Sequence, residues 1–137
     1  MLLAQSMGHT IDSNALPYAP EKLSRKEVVG FDHFLSVDMR TGTIVHVEDY
    51  TQMRKPSYKI TVDFGPVIGR LQSSAQITNY TTHELLHRKV VGAINLGEKV
   101  LPGGFVSQFL VLGALDADGT VHLLECDASM PNGSTIL

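Results

Sequence analysis

The chain has 137 residues, with 11 Lys and Arg against 14 Asp and Glu for a formal charge of −3. At ~100–200 residues per domain that length holds one domain plus a tail, and 43% hydrophobic residues suit a packed globule. Cys126 is the only cysteine, which excludes an intrachain disulfide and a four-cysteine zinc site, and the acidic total excludes a grossly cationic nucleic-acid binder.

Residues 1–20 mix small, polar and proline residues without periodicity, and Pro17 and Pro20 discourage regular structure. They read as a flexible extension, and the chain divides into an extension over 1–30 and a domain over 31–137. Met1-Leu2-Leu3 has neither a basic start nor a long apolar stretch and does not read as a signal peptide. No apolar run reaches the ~18 residues of a spanning helix, so no membrane insertion is expected. A cytoplasmic location agrees with the single cysteine. Ser24-Arg25-Lys26-Glu27 has capping-box spacing and predicts a short helix limited by Gly30. Phe31, Phe34 and Val37 then recur every three residues, the spacing of a short helical lead-in that buries two rings.

Strand patterns dominate from Val37 onward. Thr43 to Glu48 is β-branched and alternating, with Gly42 as the expected bend or bulge. Over Tyr58 to Phe64 the alternation is strict: Tyr58, Ile60, Val62 and Phe64 point one way, Lys59, Thr61 and Asp63 the other. Gly69 to Ile77 is a strand of small polar residues, poor as core on both faces, so one face meets solvent or a ligand. Thr81 with Glu84 forms a capping box for a short helix, with Tyr80 against Leu85 as a staple. Val90 to Asn95 and Phe109 to Gly113 are further strands, and Asp118-Gly119 turns the chain into Val121 to Leu124. Three strands, one short helix and two strands is the order of an OB-fold barrel. The expected class is therefore all-β: a five-stranded barrel with a short N-terminal helix and a C-terminal strand extension.

Charge is unevenly placed. Arg54, Lys55 and Lys59 stand between Thr51 and Val62 without an acid, and Arg70 is the only charge from Phe64 to His83. The acids gather at Glu48-Asp49 and at Asp116, Asp118, Glu125 and Asp127. A locally positive region on a negative molecule steers anions to one face; an ordinary solvated surface is the alternative.

One motif points to an enzyme. His83-Glu84-Leu85-Leu86-His87 matches H-E-x-x-H, which on a helix sets two imidazoles one turn apart for zinc, with the glutamate as base. The helix is short, Glu84 already serves the capping box, and Val90 stands where the extended zinc motif has glycine. Zinc-dependent hydrolysis is the weaker alternative. Ser73, Ser74 and Ser107 lie in no G-x-S-x-G elbow, and the glycines form no phosphate loop, so neither catalytic residues nor a metal or other cofactor is assigned.

Several segments resemble a known family. Val37-Asp38-Met39-Arg40-Thr41-Gly42-Thr43-Ile44 is similar to the V-D-x-R-x-G-x-I opening of tRNA-binding OB domains, which occur alone and appended to methionyl- and other aminoacyl-tRNA synthetases. Gln72 to Thr78, the run Gly104-Phe105-Val106-Ser107 to Gly113, and Pro131-Asn132-Gly133-Ser134 resemble its CsaA branch of small export-related chaperones. The first-loop segment Met53 to Lys59 is shorter and more basic than the H-P-x-A-[DE]-x-L run of the commoner domains, again as in that branch.

The resemblance implies a non-catalytic partner of tRNA or other structured RNA, and a chaperone of unfolded or precursor polypeptides. In an OB-fold the second and third strands and the L12 and L45 loops form the ligand surface. That places Arg54, Lys55, Lys59, Arg70 and Lys99 against phosphates, with Gln72, Ser74, Asn79, Asn95 and Ser107 as hydrogen-bonding groups. The polar residues serve equally well to finish barrel edges. Val100, Leu101, Phe105 and Met53 supply apolar surface for a polypeptide, or close the barrel. The resemblance also implies a homodimer, for which Phe31, Phe34, Leu35, Leu123 and Ile136 are the candidate apolar contacts; packing onto their own barrel is the alternative.

Overall fold

The computed structural model describes residues 18–137. The extension expected to be flexible at 1–20 falls mostly outside them. Within the described part, Tyr18 N–H donates to Ala117 O at 3.0 Å. No helix starts at Ser24; a single 3-10 turn covers Pro20–Lys22, and α1 is Phe31–Leu35. The run Val28-Val29-Gly30 explains the shift, because two β-branched residues and a glycine at φ +86° do not propagate a nascent turn.

Five strands form one antiparallel sheet: β1 (Met39–Asp49), β2 (Tyr58–Asp63), β3 (Arg70–Ala75), β4 (Lys89–Ala93) and β7 (Leu110–Val111). Their order is β3-β2-β1-β4-β7. The alternation in β2 is realised, with Tyr58, Ile60 and Val62 buried and Lys59, Thr61 and Asp63 turned outward. The irregularity of β1 falls between Ile44 and His46, two residues beyond Gly42. Gly42 meets a packing need instead: a Cβ there would lie 2.5 Å from Val62 Cγ1 and 2.9 Å from Phe64 Cδ1.

The edges of the sheet meet through side chains as well as backbone. Gln108 N–H donates to Gln72 O at 2.8 Å, Gln72 Nε2 to Val106 O at 2.9 Å, and Ser73 Oγ to Phe109 O at 2.7 Å. This seam joins β3 to the last strands and gives an OB-like barrel. Helix α3 (Thr82–Leu85) plugs it with buried Leu85. Phe64 and Phe109 cross edge-to-face at 5.0 Å in the core.

Three small elements lay outside the sequence expectation. Helix α2 (Gly65–Ile68) joins β2 to β3, and a hairpin pairs β5 (Lys99–Leu101) with β6 (Phe105–Ser107). The strand expected over Phe109–Gly113 is broken, so that β8 (Gly113–Leu115) pairs instead with β9 (Val121–Leu123).

The C-terminal segment is bound to β1. Thr41 N–H donates to Ser134 O at 2.9 Å and Gly133 N–H to Thr41 O at 2.8 Å. The Thr41 hydroxyl donates to Pro131 O and accepts from Ser134 N–H, while Arg40 reaches Gly133 O and is held by Asp38 at 2.7 Å. The opening motif and the P-N-G-S tail are thus two halves of one clamp. Thr41→Val keeps the shape and removes two hydrogen bonds to the tail, leaving Pro131 O and Ser134 N–H only each other and the Ser134 hydroxyl, so unfolding free energy should fall by ~1–2 kcal/mol. Hydrogen exchange at Gly133 and Ser134 should accelerate with it; unchanged exchange there would count against the clamp.

Candidate nucleic-acid interface

Strand alternation builds the site. The outward residues of β2 face those of β3 in register, Lys59 opposite Ser74, Thr61 opposite Gln72 and Asp63 opposite Arg70. Above them lies the loop of residues 50–57 between β1 and β2, and beside it the β5–β6 hairpin.

Tyr50 ties these two loops together. It is buried, its hydroxyl donates to Pro102 O at 2.5 Å, and its ring meets Phe105 edge-on at 5.3 Å. Burial raises the Tyr50 phenol above its ordinary pKa, so it stays a protonated donor. Gly103, at φ +79°, lies so close to the Gln52 carboxamide that a Cβ would collide with it. The Lys59 ammonium sits 4.8 Å from the Tyr50 ring centroid and 5.1 Å from that of Phe105. Two cation–π contacts fix its position; the Tyr50 ring is buried and unavailable to stack a base, and Lys59 takes one face of half-buried Phe105. Next to this cluster, Met53, Arg54, Lys55, Gln76 and Pro102 line a cleft of about 470 Å³.

The eight cations of residues 31–137 fall into two groups. Arg40 pairs with Asp38, Arg88 with Glu125 at 2.6 Å, and Lys89 Nζ donates to Met130 O and Asn132 Oδ1. Those serve the fold. Arg54, Lys55, Lys59, Arg70 and Lys99 make no ion pair with any carboxylate among the described residues. Their charge is free to act on an anion.

Not every candidate joins them. Arg54, Lys55, Lys59 and Phe105 come together; Arg70 is exposed at the far end of β3, and Lys99 lies on the hairpin in register with Ser107. Ser74 is 2% exposed and Ser107 6%, the latter against Ser73 Oγ at 3.1 Å. Gln72 closes the barrel seam. Asn79 donates to Val121 O, and Asn95 accepts from Asp38 N–H and donates to Ser36 O. Of these five polar side chains, Ser74 and Ser107 are buried, and Gln72, Asn79 and Asn95 are hydrogen-bonded within the chain. Gln76 and Pro102 line the cleft too, although the sequence does not single them out. Gln76 continues the outward series Gln72, Ser74 by a further step of two, so periodicity alone points to it.

The H-E-x-x-H segment does not form a two-turn helical face. Helix α3 ends at Leu85, and His87 follows at φ 70°. Glu84 closes a capping box, accepting from Thr81 N–H at 2.8 Å while its own N–H reaches Thr81 Oγ1. The backbone hydrogen bond from Thr81 holds its carboxyl below the usual glutamate value, as expected of a cap and opposite to what a general base near neutrality needs.

Of the apolar candidates, Phe31 is 65% and Leu35 56% exposed, and Phe31 stacks on partly exposed Phe34 at 6.1 Å. Leu123 is corrected: it belongs to the barrel core at 7% exposure, its N–H donating to Tyr80 Oη. Ile136 is half-buried and its N–H donates to Met39 O.

Comparisons with known proteins place the chain in a family. A family model described as "Putative tRNA binding domain" matches residues 39–135. The crystal structure of a CsaA chaperone protein from Picrophilus torridus is 38% identical, covers 80% of this chain and 100% of its own, and superposes with a TM-score of 0.74. The chaperone CsaA from Bacillus anthracis is likewise 38% identical, covering 81% of this chain and 100% of its own at a TM-score of 0.75. A methionine–tRNA ligase of Methanococcus maripaludis is 35% identical over 82% of this chain, but the match spans only 16% of that enzyme. The chain thus belongs to the tRNA-binding domain family.

Proposed function

We propose that this protein binds tRNA without catalysing a reaction on it, as a cytoplasmic protein of CsaA type whose binding domain is residues 31–137. The observation that carries the reading is the group of cations without carboxylate partners around loop 50–57, with Lys59 braced on two rings. Phosphates are recognised there by charge and by the shape of a folded RNA, since Tyr50 is buried and Lys59 takes one face of Phe105. Fluorescence-monitored titration with tRNA and with an equal-length single strand tests this. Tighter binding of the folded tRNA supports shape recognition; equal or reversed preference contradicts it.

A second role is proposed beside the first, binding of unfolded or export-competent polypeptides. Met53 and Pro102 in the cleft and Val100, which is 71% exposed on the hairpin, are the apolar surface that favours it. Suppression of client aggregation that tRNA relieves would place both ligands on one face, and absence of suppression would remove the role.

We propose further that two copies pair through the exposed apolar side chains Phe31, Phe34 and Leu35, with half-buried Ile136, about a two-fold axis that makes the contact self-complementary. Phe34→Asp should shift the sedimenting species from dimer to monomer with the barrel still folded. A wild-type protein sedimenting as monomer at micromolar concentration would refute the pairing.

A further inference from the structure

We propose that the cleft beside loop 50–57 is a single-nucleotide subsite, which takes one unpaired nucleobase between Met53 and Pro102 with its phosphate on Arg54 and Lys55. This rests on the tRNA-binding reading and adds to it a contact with a base.

Three observations carry it. The cleft, at about 470 Å³, lies within the ~300–1,000 Å³ of small-molecule sites, and its lining is mainly apolar, with Met53 and Pro102 among its residues. Tyr50 is buried and Lys59 takes one face of Phe105, and neither ring lines the cleft, so a base there lies against the aliphatic surfaces of Met53 and Pro102. The carboxamide of half-buried Gln76 lines the cleft with no hydrogen-bond partner among the described residues, whereas those of Gln72, Gln108, Asn79 and Asn95 are all bonded within the chain. A carboxamide offers a donor and an acceptor in one plane, which is how Asn and Gln read base edges.

Charge decides between a nucleotide and a peptide side chain. Arg54 and Lys55 at the rim are exposed and without a carboxylate partner, on a protein of net charge −3. An unfolded polypeptide need not bring negative charge to such a rim; a nucleotide brings it with every unit. The base must be unpaired, because a stacked and paired base cannot turn its face and edge into a cleft.

The test uses wild-type protein with labelled methionine methyls and side-chain amides, titrated with the four nucleoside 5′-monophosphates, ribose 5-phosphate, inorganic phosphate and an extended acidic peptide. At least one nucleotide should move the Met53 methyl and the Gln76 amide together, while ribose 5-phosphate and phosphate leave both in place. Silent nucleotides, or movement by ribose 5-phosphate or the peptide to the same extent, would overturn the subsite. Gln76→Leu should fold normally and lower tRNA affinity by roughly fivefold to a hundredfold with an unchanged salt slope, as loss of a base contact and not a phosphate contact requires. An unchanged affinity would also overturn it. Failure of wild-type protein to bind tRNA at all would sink the parent reading, whereas tRNA binding with Met53 and Gln76 silent would remove the subsite alone.

Discussion

Reversing two charges in loop 50–57, Arg54→Glu with Lys55→Glu, is expected to weaken tRNA binding by on the order of tenfold to a hundredfold at about 100 mM salt. Both side chains are exposed and neither has a carboxylate partner, so folding stability should stay within about 0.5 kcal/mol. Two lost phosphate contacts should also lower the slope of log affinity against log salt by about 2. Arg25→Glu with Lys26→Glu is the control, because it changes the net charge equally at exposed positions outside the cleft. That control should retain affinity within about twofold. Equal weakening by both pairs would mean that net charge, and not the cleft, governs binding.

Phe64→Ala should be the most damaging single truncation of the core, at ~3–5 kcal/mol. The ring has no solvent exposure, meets Phe109 edge-on at 5.0 Å and 81°, and lies against two strands that leave room for it only by carrying glycine. A Cβ at Gly92 would stand 2.7 Å from Phe64 Cζ, and one at Gly42 2.9 Å from Cδ1. The neighbouring backbone is held in the barrel ladder and cannot collapse into the space, so the cavity cost adds to the transfer cost. Against a total of ~5–15 kcal/mol, the loss takes a large share of the stability. In urea the midpoint should fall while the slope m stays unchanged. A cost below about 1.5 kcal/mol would show that the site repacks and that Phe64 is not central.

What the sequence revealed, and what it hid, follows the range of the interactions. Strict alternation over Tyr58 to Phe64 names the buried face correctly, because period two is a local property of a strand. The capping box at Thr81 and Glu84 is local too, and it formed. The one at Ser24 did not: the same spacing without an apolar stripe behind it has nothing to dock against. The hydrogen bonds that hold Gln72, Asn79 and Asn95 are hidden from the sequence because their partners are remote: Val106 O lies 34 residues from Gln72, Val121 O 42 from Asn79, and Ser36 O 59 from Asn95. Leu123 looked like surplus apolar surface for the same reason, since the core that covers it is assembled from the whole chain. The cations Arg54, Lys55 and Lys59 were legible as a group from their short spacing. Their rigid setting was not, because it depends on Tyr50 reaching Pro102, 52 residues away.

The most direct measurement of the central claim is a titration of wild-type protein with tRNA at a series of salt concentrations. With Arg54, Lys55 and Lys59 as phosphate contacts, log affinity should fall linearly with log salt at a slope of about −2 to −3, near 0.7–0.9 per contact. The double reversal in loop 50–57 should flatten that line. No binding at low salt, or binding indifferent to salt, would contradict the assignment of this face to RNA.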